Sequence, residues 1–499
     1  MNYFVAVYFN AKLTGIEQGQ VNRLKLFKAA NLPAKCVYTR YNPGIHANAE
    51  RFGIGPDCFS LYDYFQDTVS VPVKAIDWCK YWEETCHYRI QKVASAPDVR
   101  VFTTEGRFLM YAHFRDESLK QLVYLNYFDA KRMKVKREHY DNRGFLSRIS
   151  YLHDNQKVQN EVYLDTGGHV KMEKYYTNDP GEPKLHQIIL NDYRGQQWFF
   201  DTERELQTFF FNELYQAGDV YFSDKNGPLA PAFGDTRPDV TVCAVFHSTH
   251  ARDQANVIKG PLKGTYRYVL EHPQLFDRIV VSTELQRTDL RERFPELPPI
   301  VVIPVGYTTK QRVNLRKKQP HRIIGVARLS PEKQVMEQVQ VVGRLVDEFP
   351  DVELHLFGFG SRIEEQRLRD YVTEHHLEKH VFFRGYLPDL TAEYEQASLE
   401  MVTSVEEGFS LTTLEALSFG VPVISYDIRY GPNEMVIDGE NGNLVERNNQ
   451  DLLYWKIRDY LKDPKLQRRY MKNSLKRAND YSATATRQKW QALLADLAD

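Results

Sequence analysis

Met1-Asn-Tyr-Phe-Val-Ala-Val-Tyr-Phe-Asn10 opens the chain with an apolar run over residues 3–9, and a Thr14-Gly15 turn follows it. The next segment places Ile16, Val21, Leu24 and Phe27 on one face at helical spacing. Residues 34–38, Ala-Lys-Cys-Val-Tyr, then read as a second short strand. Strand, helix and strand in that order need a crossover between parallel neighbours, so the chain opens as Rossmann-like α/β. The first run has the apolarity of a signal h-region, but no basic segment precedes it and no small-residue cleavage site follows. It is expected to be a buried strand.

Parallel-sheet logic breaks between about residues 100 and 210, where aromatic and charged residues alternate and Asp-x-x-Gly occurs three times, at 141–144, 165–168 and 192–195. Asp first and Gly last suit a type I turn, and alternating runs such as 162–164 and 170–176 flank the turns. The segment reads as an antiparallel β-meander inserted into the first domain, which loop-closure entropy tolerates because its cost rises only logarithmically with length. The parallel pattern resumes at 240–246, Val-Thr-Val-Cys-Ala-Val-Phe, apolar enough to be buried on both faces, and continues at 278–282 and 300–303. A basic stretch without apolar periodicity, holding Lys310, Arg312, Arg316, Lys317 and Lys318, is the expected linker.

A second alternation follows, with strands at 323–326, 352–357, 381–383, 399–403 and 421–425. Helices are expected from Pro331, after Ser361, from about Leu411, and twice between 451 and 499. The expected organisation is a Rossmann-like domain of residues 1–95 and 211–307, the meander at 96–210, a linker at 308–320, and a second Rossmann-like domain at 321–478. A terminal helix at 479–499 would pack back on the first domain. Two such halves create a cleft, where ligands usually bind.

Composition narrows the function classes. The 499 residues carry 65 Lys plus Arg against 66 Asp plus Glu, a net charge of −1, which argues against a dedicated nucleic-acid binder. With 42% hydrophobic and 26% charged residues the chain is globular rather than disordered. Its five cysteines, Cys36, Cys58, Cys79, Cys86 and Cys243, show no zinc-site spacing and read as reduced thiols. No stretch approaches the about 18 apolar residues of a membrane span, so the expectation is a cytoplasmic chain, with peripheral contact at the inner face of the membrane left open.

The chemistry-bearing motifs cluster in the second half. Gly325 begins no dinucleotide fingerprint, since Ala327 stands where the second glycine belongs, and no Walker A or Asp-x-Asp motif occurs. No metal and no cofactor is therefore expected, and a diphosphate would have to be neutralised by protein groups. Arg328 at a strand end, Ser330 as N-cap, Pro331 at the first helical position and Lys333 in the first turn suit that task. The plainer reading is a solvated Arg and Lys at a helix start. In Ser404-Val-Glu-Glu407-Gly408-Phe409-Ser410-Leu411-Thr-Thr-Leu-Glu415-Ala416, Gly408 permits a tight turn whose amides can face a phosphate. Glu407 and Glu415, eight residues apart, can hold a transferred group and a ribose, or simply complement a helix dipole. His247 and His250 end the 240–246 strand on the ligand side of a parallel sheet, with His247 the better candidate; both also fit satisfied structural histidines.

These residues together resemble glycosyltransferase family 4, retaining enzymes of the GT-B fold. The resemblance implies that Arg328 and Lys333 bind the diphosphate of a nucleotide-sugar, that Glu407 approaches the transferred sugar, that Glu415 binds the nucleotide ribose, and that His247 contacts the sugar. Gly408, Phe409, Ser410 and Leu411 would complete the donor site, with Gly15 at the place of the Gly-rich loop, where one glycine replaces the common pair. The meander makes nearly the whole chain similar to a subgroup that includes Gram-positive wall-teichoic-acid glycosyltransferases and the catalytic subunit of the surface-protein O-GlcNAc transferase. Gly15-Ile16-Glu17-x-x-Gln20-x-x-Arg23 looks more like the protein-modifying subunit. What the resemblance implies is a retaining transferase using UDP-GlcNAc or UDP-glucose on protein Ser/Thr, with a poly(glycerol-phosphate) or poly(ribitol-phosphate) acceptor as the alternative. Its partner would be a paralogous subunit, or further copies of itself through the meander. The rival of another class is a noncatalytic acceptor-binding subunit.

Overall fold

The computed structural model describes residues 1–178 and 181–498, which fold as two compact units: Met1–Leu13 with Pro33–Thr241, and Thr14–Leu32 with Val242–Asp499. In the first unit Asn2–Ala6 is buried along its whole length and pairs in parallel with Ala34–Tyr38 on one side and Val220–Ser223 on the other. Cys58–Ser60 adds in parallel beyond Ala34–Tyr38. The opening run is thus an interior strand, which its unbroken apolarity requires.

Between Cys58–Ser60 and Val220–Ser223 the chain builds a ten-stranded sheet, from Arg89–Lys92 to Gln196–Phe200, each strand antiparallel to its sequence neighbour. The expected meander is present. Two of its Asp-x-x-Gly segments close as turns, with Gly144 N–H donating to Asp141 O at 2.9 Å and Gly168 N–H to Asp165 O at 3.1 Å. The third departs from the type I expectation. Arg194 and Gly195 have φ of 54° and 75° and connect the paired Tyr193 and Gln196, a two-residue hairpin loop whose backbone twist matches the right-handed twist of the strands.

The second unit holds two further parallel sets. Thr241–Val245, Arg278–Val281 and Ile300–Val302 pair in that order. The six-stranded sheet runs Val381–Gly385, Glu353–Phe357, Arg322–Val326, Leu399–Val402, Val423–Asp427, Gly442–Glu446, all parallel. Chain order reverses between Arg322–Val326 and Leu399–Val402, the switch point at which doubly wound sheets leave a crevice at their carboxyl ends. The helix Val335–Leu345 buries Val335, Val339, Val341, Val342 and Leu345 against this sheet. At about 1.5–3 kcal/mol per buried aliphatic side chain, this face holds the helix in place.

Several local expectations change. The helix expected from Pro331 begins at Val335; Pro331–Lys333 is a separate 3₁₀ turn, Ser330 makes no side-chain cap, and Gln334, with φ of 44°, breaks the two apart. Lys333 is therefore in a turn ahead of the helix and outside its first turn. Three helices, Gln450–Lys462, Pro464–Ala478 and Ala483–Asp496, replace the expected two. The last packs on Gly15–Ala29: the Trp490 ring meets Phe27 at 5.6 Å and lies beneath the Arg23 guanidinium at 5.2 Å. Within the basic stretch, Lys318 is buried with Nζ donating to Tyr394 O at 2.5 Å, and burial lowers its pKa to about 7.

Candidate functional site

Two loops leave the switch point side by side. After Arg322–Val326 comes the turn bearing Lys333; after Leu399–Val402 comes the loop 403–410. Thr403 Oγ1 donates to the carbonyls of Lys333 and Gln334 at 2.9 and 3.1 Å, and Val405 N–H donates to Glu332 O at 2.8 Å, so the loops are stitched together. Lys333 Nζ consequently reaches Glu407 Oε1 at 2.6 Å, with both side chains about one-sixth exposed. Ser404 Oγ donates to the same oxygen at 2.7 Å. Arg328 is half exposed and pairs with Glu332 at 2.9 Å, which ties it to this pair through one intervening residue.

Gly408 has a steric reason. A Cβ there would overlap the carbonyl of His247, so only glycine lets loop 403–410 close on the end of Thr241–Val245. His247 is held from the other side, its N–H and that of Ser248 donating to Tyr266 Oη at 2.8 and 3.0 Å. Phe409 is buried beside Gly306 and Tyr481. Ser410, with φ of 66°, turns the chain into Leu411–Ser418, and its Oγ lies 2.9 Å from Thr413 Oγ1. Gly15 is the first residue of Gly15–Ala29, with open space where a Cβ would stand. Thr14 and Glu17 form a capping box at that helix start.

Glu415 sits on Leu411–Ser418, where Tyr394 hydrogen-bonds to it. Burial raises its pKa to about 7, with Tyr394 pulling it down by a hydrogen bond and Asp389 pushing it up. His250 is fully buried, its Nε2 donates to Val257 O at 3.1 Å, and burial lowers its pKa to about 4. It is neutral, and it is satisfied only at Nε2, since its buried Nδ1 has no hydrogen-bond partner.

The structure adds residues that no motif singled out. Glu400, in the middle of Leu399–Val402, is completely buried, and neither carboxylate oxygen meets a protein donor in good hydrogen-bonding geometry. Burial drives its pKa far up, the Thr412 hydroxyl opposes, and Glu415 and Glu407 add to the rise. The one available signal was a Glu inside an otherwise apolar strand. Glu406 pairs with Lys263 at 2.5 Å. In the first unit His46, Asp63 and Asp141 bring three metal-capable groups within 4.8 Å. The Arg143 guanidinium lies 2.8 Å from each carboxylate, so that cluster is charge-compensated by protein and does not suit a cation.

Comparison with known proteins fits this architecture. The family model described as "Glycosyl transferases group 1" matches residues 307–477, and a model for an accessory Sec system protein matches residues 2–198. The chain is 26% identical over 413 residues to the poly(glycerol-phosphate) alpha-glucosyltransferase of Bacillus subtilis, covering 79% of this chain and 58% of that protein. It is 24% identical over 490 residues to the UDP-N-acetylglucosamine--peptide N-acetylglucosaminyltransferase GtfA subunit of Streptococcus pneumoniae, covering 94% and 92%. The crystal structure of the pneumococcal O-GlcNAc transferase GtfA in complex with UDP and GlcNAc superposes with a TM-score of 0.88 at 20% identity, covering 99% of this chain and 98% of that one. The expected GT-B fold with its inserted meander is borne out.

Proposed function

We propose that this chain, whose residues 307–477 form a glycosyltransferase group 1 domain, is a retaining UDP-sugar-dependent transferase of cell-envelope biogenesis that places N-acetylglucosamine or glucose on Ser/Thr of surface or secreted proteins. The observation that carries the reading is the Lys333–Glu407 ion pair at the sheet's switch point. It sets a cation for the diphosphate beside a carboxylate for the sugar.

Charge develops on the departing UDP as the glycosidic bond breaks. Lys333 and Arg328 stabilise it from positions already set by Thr403 and Glu332, so little reorganisation is needed at the moment of reaction. Glu407, oriented by Ser404, faces the electron-poor sugar; Glu415 holds the ribose, and His247 a sugar hydroxyl. The N–H groups of 408–411 and Gly15 complete the donor site.

Protein modification is favoured over polyol modification by coverage: the peptide N-acetylglucosaminyltransferase subunit matches over 92% of its length, the poly(glycerol-phosphate) enzyme over 58%. The higher identity of the latter, 26%, supports a teichoic-acid acceptor as second reading. The relative named as a subunit suggests a partner chain here too. A noncatalytic role fits poorly with a site that keeps Arg328, Lys333, Glu407 and Glu415. No helix among the described residues is long and apolar enough to cross a membrane.

The test is transfer of labelled sugar from UDP-GlcNAc and UDP-glucose into a Gram-positive extract, with Glu407→Ala as control, followed by protease. Label released by protease supports protein O-glycosylation. Protease-resistant polymer label moves the reading to teichoic acid, and absence of UDP release by the purified chain defeats both.

A further inference from the structure

We propose that a cavity of about 870 Å³ between the segments 254–258 and 427–433 is an acceptor subsite that takes an extended peptide by its backbone amides. The inference rests on the transferase reading above and names the acceptor chemistry for it. The volume lies within the ~300–1,000 Å³ of ligand clefts.

Both walls are continuous with the candidate donor site. The first follows the His247–His250 run, whose His247 carbonyl packs against Gly408. The second follows Val423–Asp427 and leads into Tyr430, whose N–H donates to Glu407 O at 3.2 Å, and into Gly431, packed against the Phe409 carbonyl. A chain lying in this cavity is therefore anchored by the segments that hold Glu407 and Phe409, next to the sugar to be transferred.

Gln254 lines the cavity at 8% exposure, and neither its Nε2 nor its Oε1 has a hydrogen-bond partner. On the opposite wall Asn433 Oδ1 is also buried and unpaired. Leaving such groups unpaired is costly, and a side-chain amide offers a donor and an acceptor side by side, matching the C=O and N–H of a peptide unit.

Charge separates the acceptor classes. Arg429 in the lining is matched by Asp289, at 2.9 Å. That leaves Arg447 against two carboxylates, Asp427 and Glu446. A polyol phosphate, with an anionic group in every repeat, meets net repulsion there, and a neutral Ser/Thr-rich peptide does not.

The experiment compares the full-length chain with Gln254→Ala, Gln254→Glu and Asn433→Ala, using UDP-GlcNAc with either a synthetic neutral Ser/Thr peptide or oligo(glycerol phosphate). Losing one well-placed hydrogen-bonding group is expected to raise the KM for peptide about 10-fold, with the KM for UDP-GlcNAc changed less than about twofold. Should Gln254→Ala fail to fold, Gln254→Glu, which keeps the shape, and Asn433→Ala, on the other wall, read the same quantity. An unchanged peptide KM in all folded variants, a parallel rise in donor KM, or transfer by the unmutated chain to oligo(glycerol phosphate) but not to peptide overturns the subsite. Absence of UDP release with either acceptor overturns the transferase reading itself.

Discussion

Lys333 Nζ stands 2.6 Å from Glu407 Oε1 although the two residues belong to loops that leave different strands. The contact exists because Thr403 and Glu332 lace those loops through backbone carbonyls. Cation and carboxylate are held together by the chain's own loops, and in the proposed donor site a diphosphate would share the ammonium with Glu407.

On the proposed role of Lys333 as a donor aimed at developing charge, Lys333→Ala should weaken UDP binding about 10-fold or more and lower kcat/KM for transfer about 10²–10³-fold. Calorimetric titration with UDP and steady-state transfer read the two effects. Full activity with unmutated donor affinity would sink the assignment.

Gly408→Ala forces a methyl group onto the His247 carbonyl. A loss of about 1–3 kcal/mol in unfolding free energy is expected, as for other overpacked sites, together with reduced transfer because both loops must shift. Urea titration and activity on the same sample test it, and a fully stable, fully active variant would contradict the close approach.

Glu415 carries a pH signature. Its folded pKa of about 7 lies above the ordinary 4.5, so the folded state binds the extra proton between these values. Stability from this group is greatest at about pH 4.5, falls as pH rises toward 7 and then levels off, by an order of ~1–3 kcal/mol. Glu415→Gln should unfold at a higher temperature than the unmutated chain at pH 8 and lose that advantage at pH 5. If the carboxylate also holds the ribose, UDP affinity falls as pH drops from 8 to 6, and the variant flattens that profile.

Arg143→Ala leaves Asp63, Asp141 and His46 buried with their cation removed. A destabilisation of about 3–5 kcal/mol is expected, visible in urea unfolding of the first unit. Burial pushes the Asp63 pKa up, but His46 and Arg143 outweigh it and hold the group at about 2. This stability is fully present above about pH 3.8 and is lost as pH falls through 2, so the unmutated chain should outlast the variant in mild acid.

Much of this was legible in residue order. Asn2–Ala6 and Ala34–Tyr38 follow from apolar runs split by a helical period, and the meander from its alternation and turns. Periodicity is a local property, and local steric rules convert it directly into helix or strand. Boundaries were less legible where one backbone angle decides them: Gln334 in the left-handed region splits the 3₁₀ turn from its helix, and no residue preference announces that. Arg194-Gly195 likewise took the hairpin geometry that strand twist demands rather than the turn its Asp suggested.

The sequence by itself determined two parallel α/β halves, an inserted antiparallel sheet, and the residues Arg328, Lys333, Glu407 and Glu415 as a candidate set. Only the tertiary structure decided that Lys333 meets Glu407 while Glu415 stands with Tyr394, that Glu400 is buried without a well-formed hydrogen bond, and that Gln254 turns an unpaired amide toward no protein group. The reason is physical: a side chain's type and spacing are written in the chain, whereas its partners, its hydration and hence its charge depend on which distant segments are packed against it.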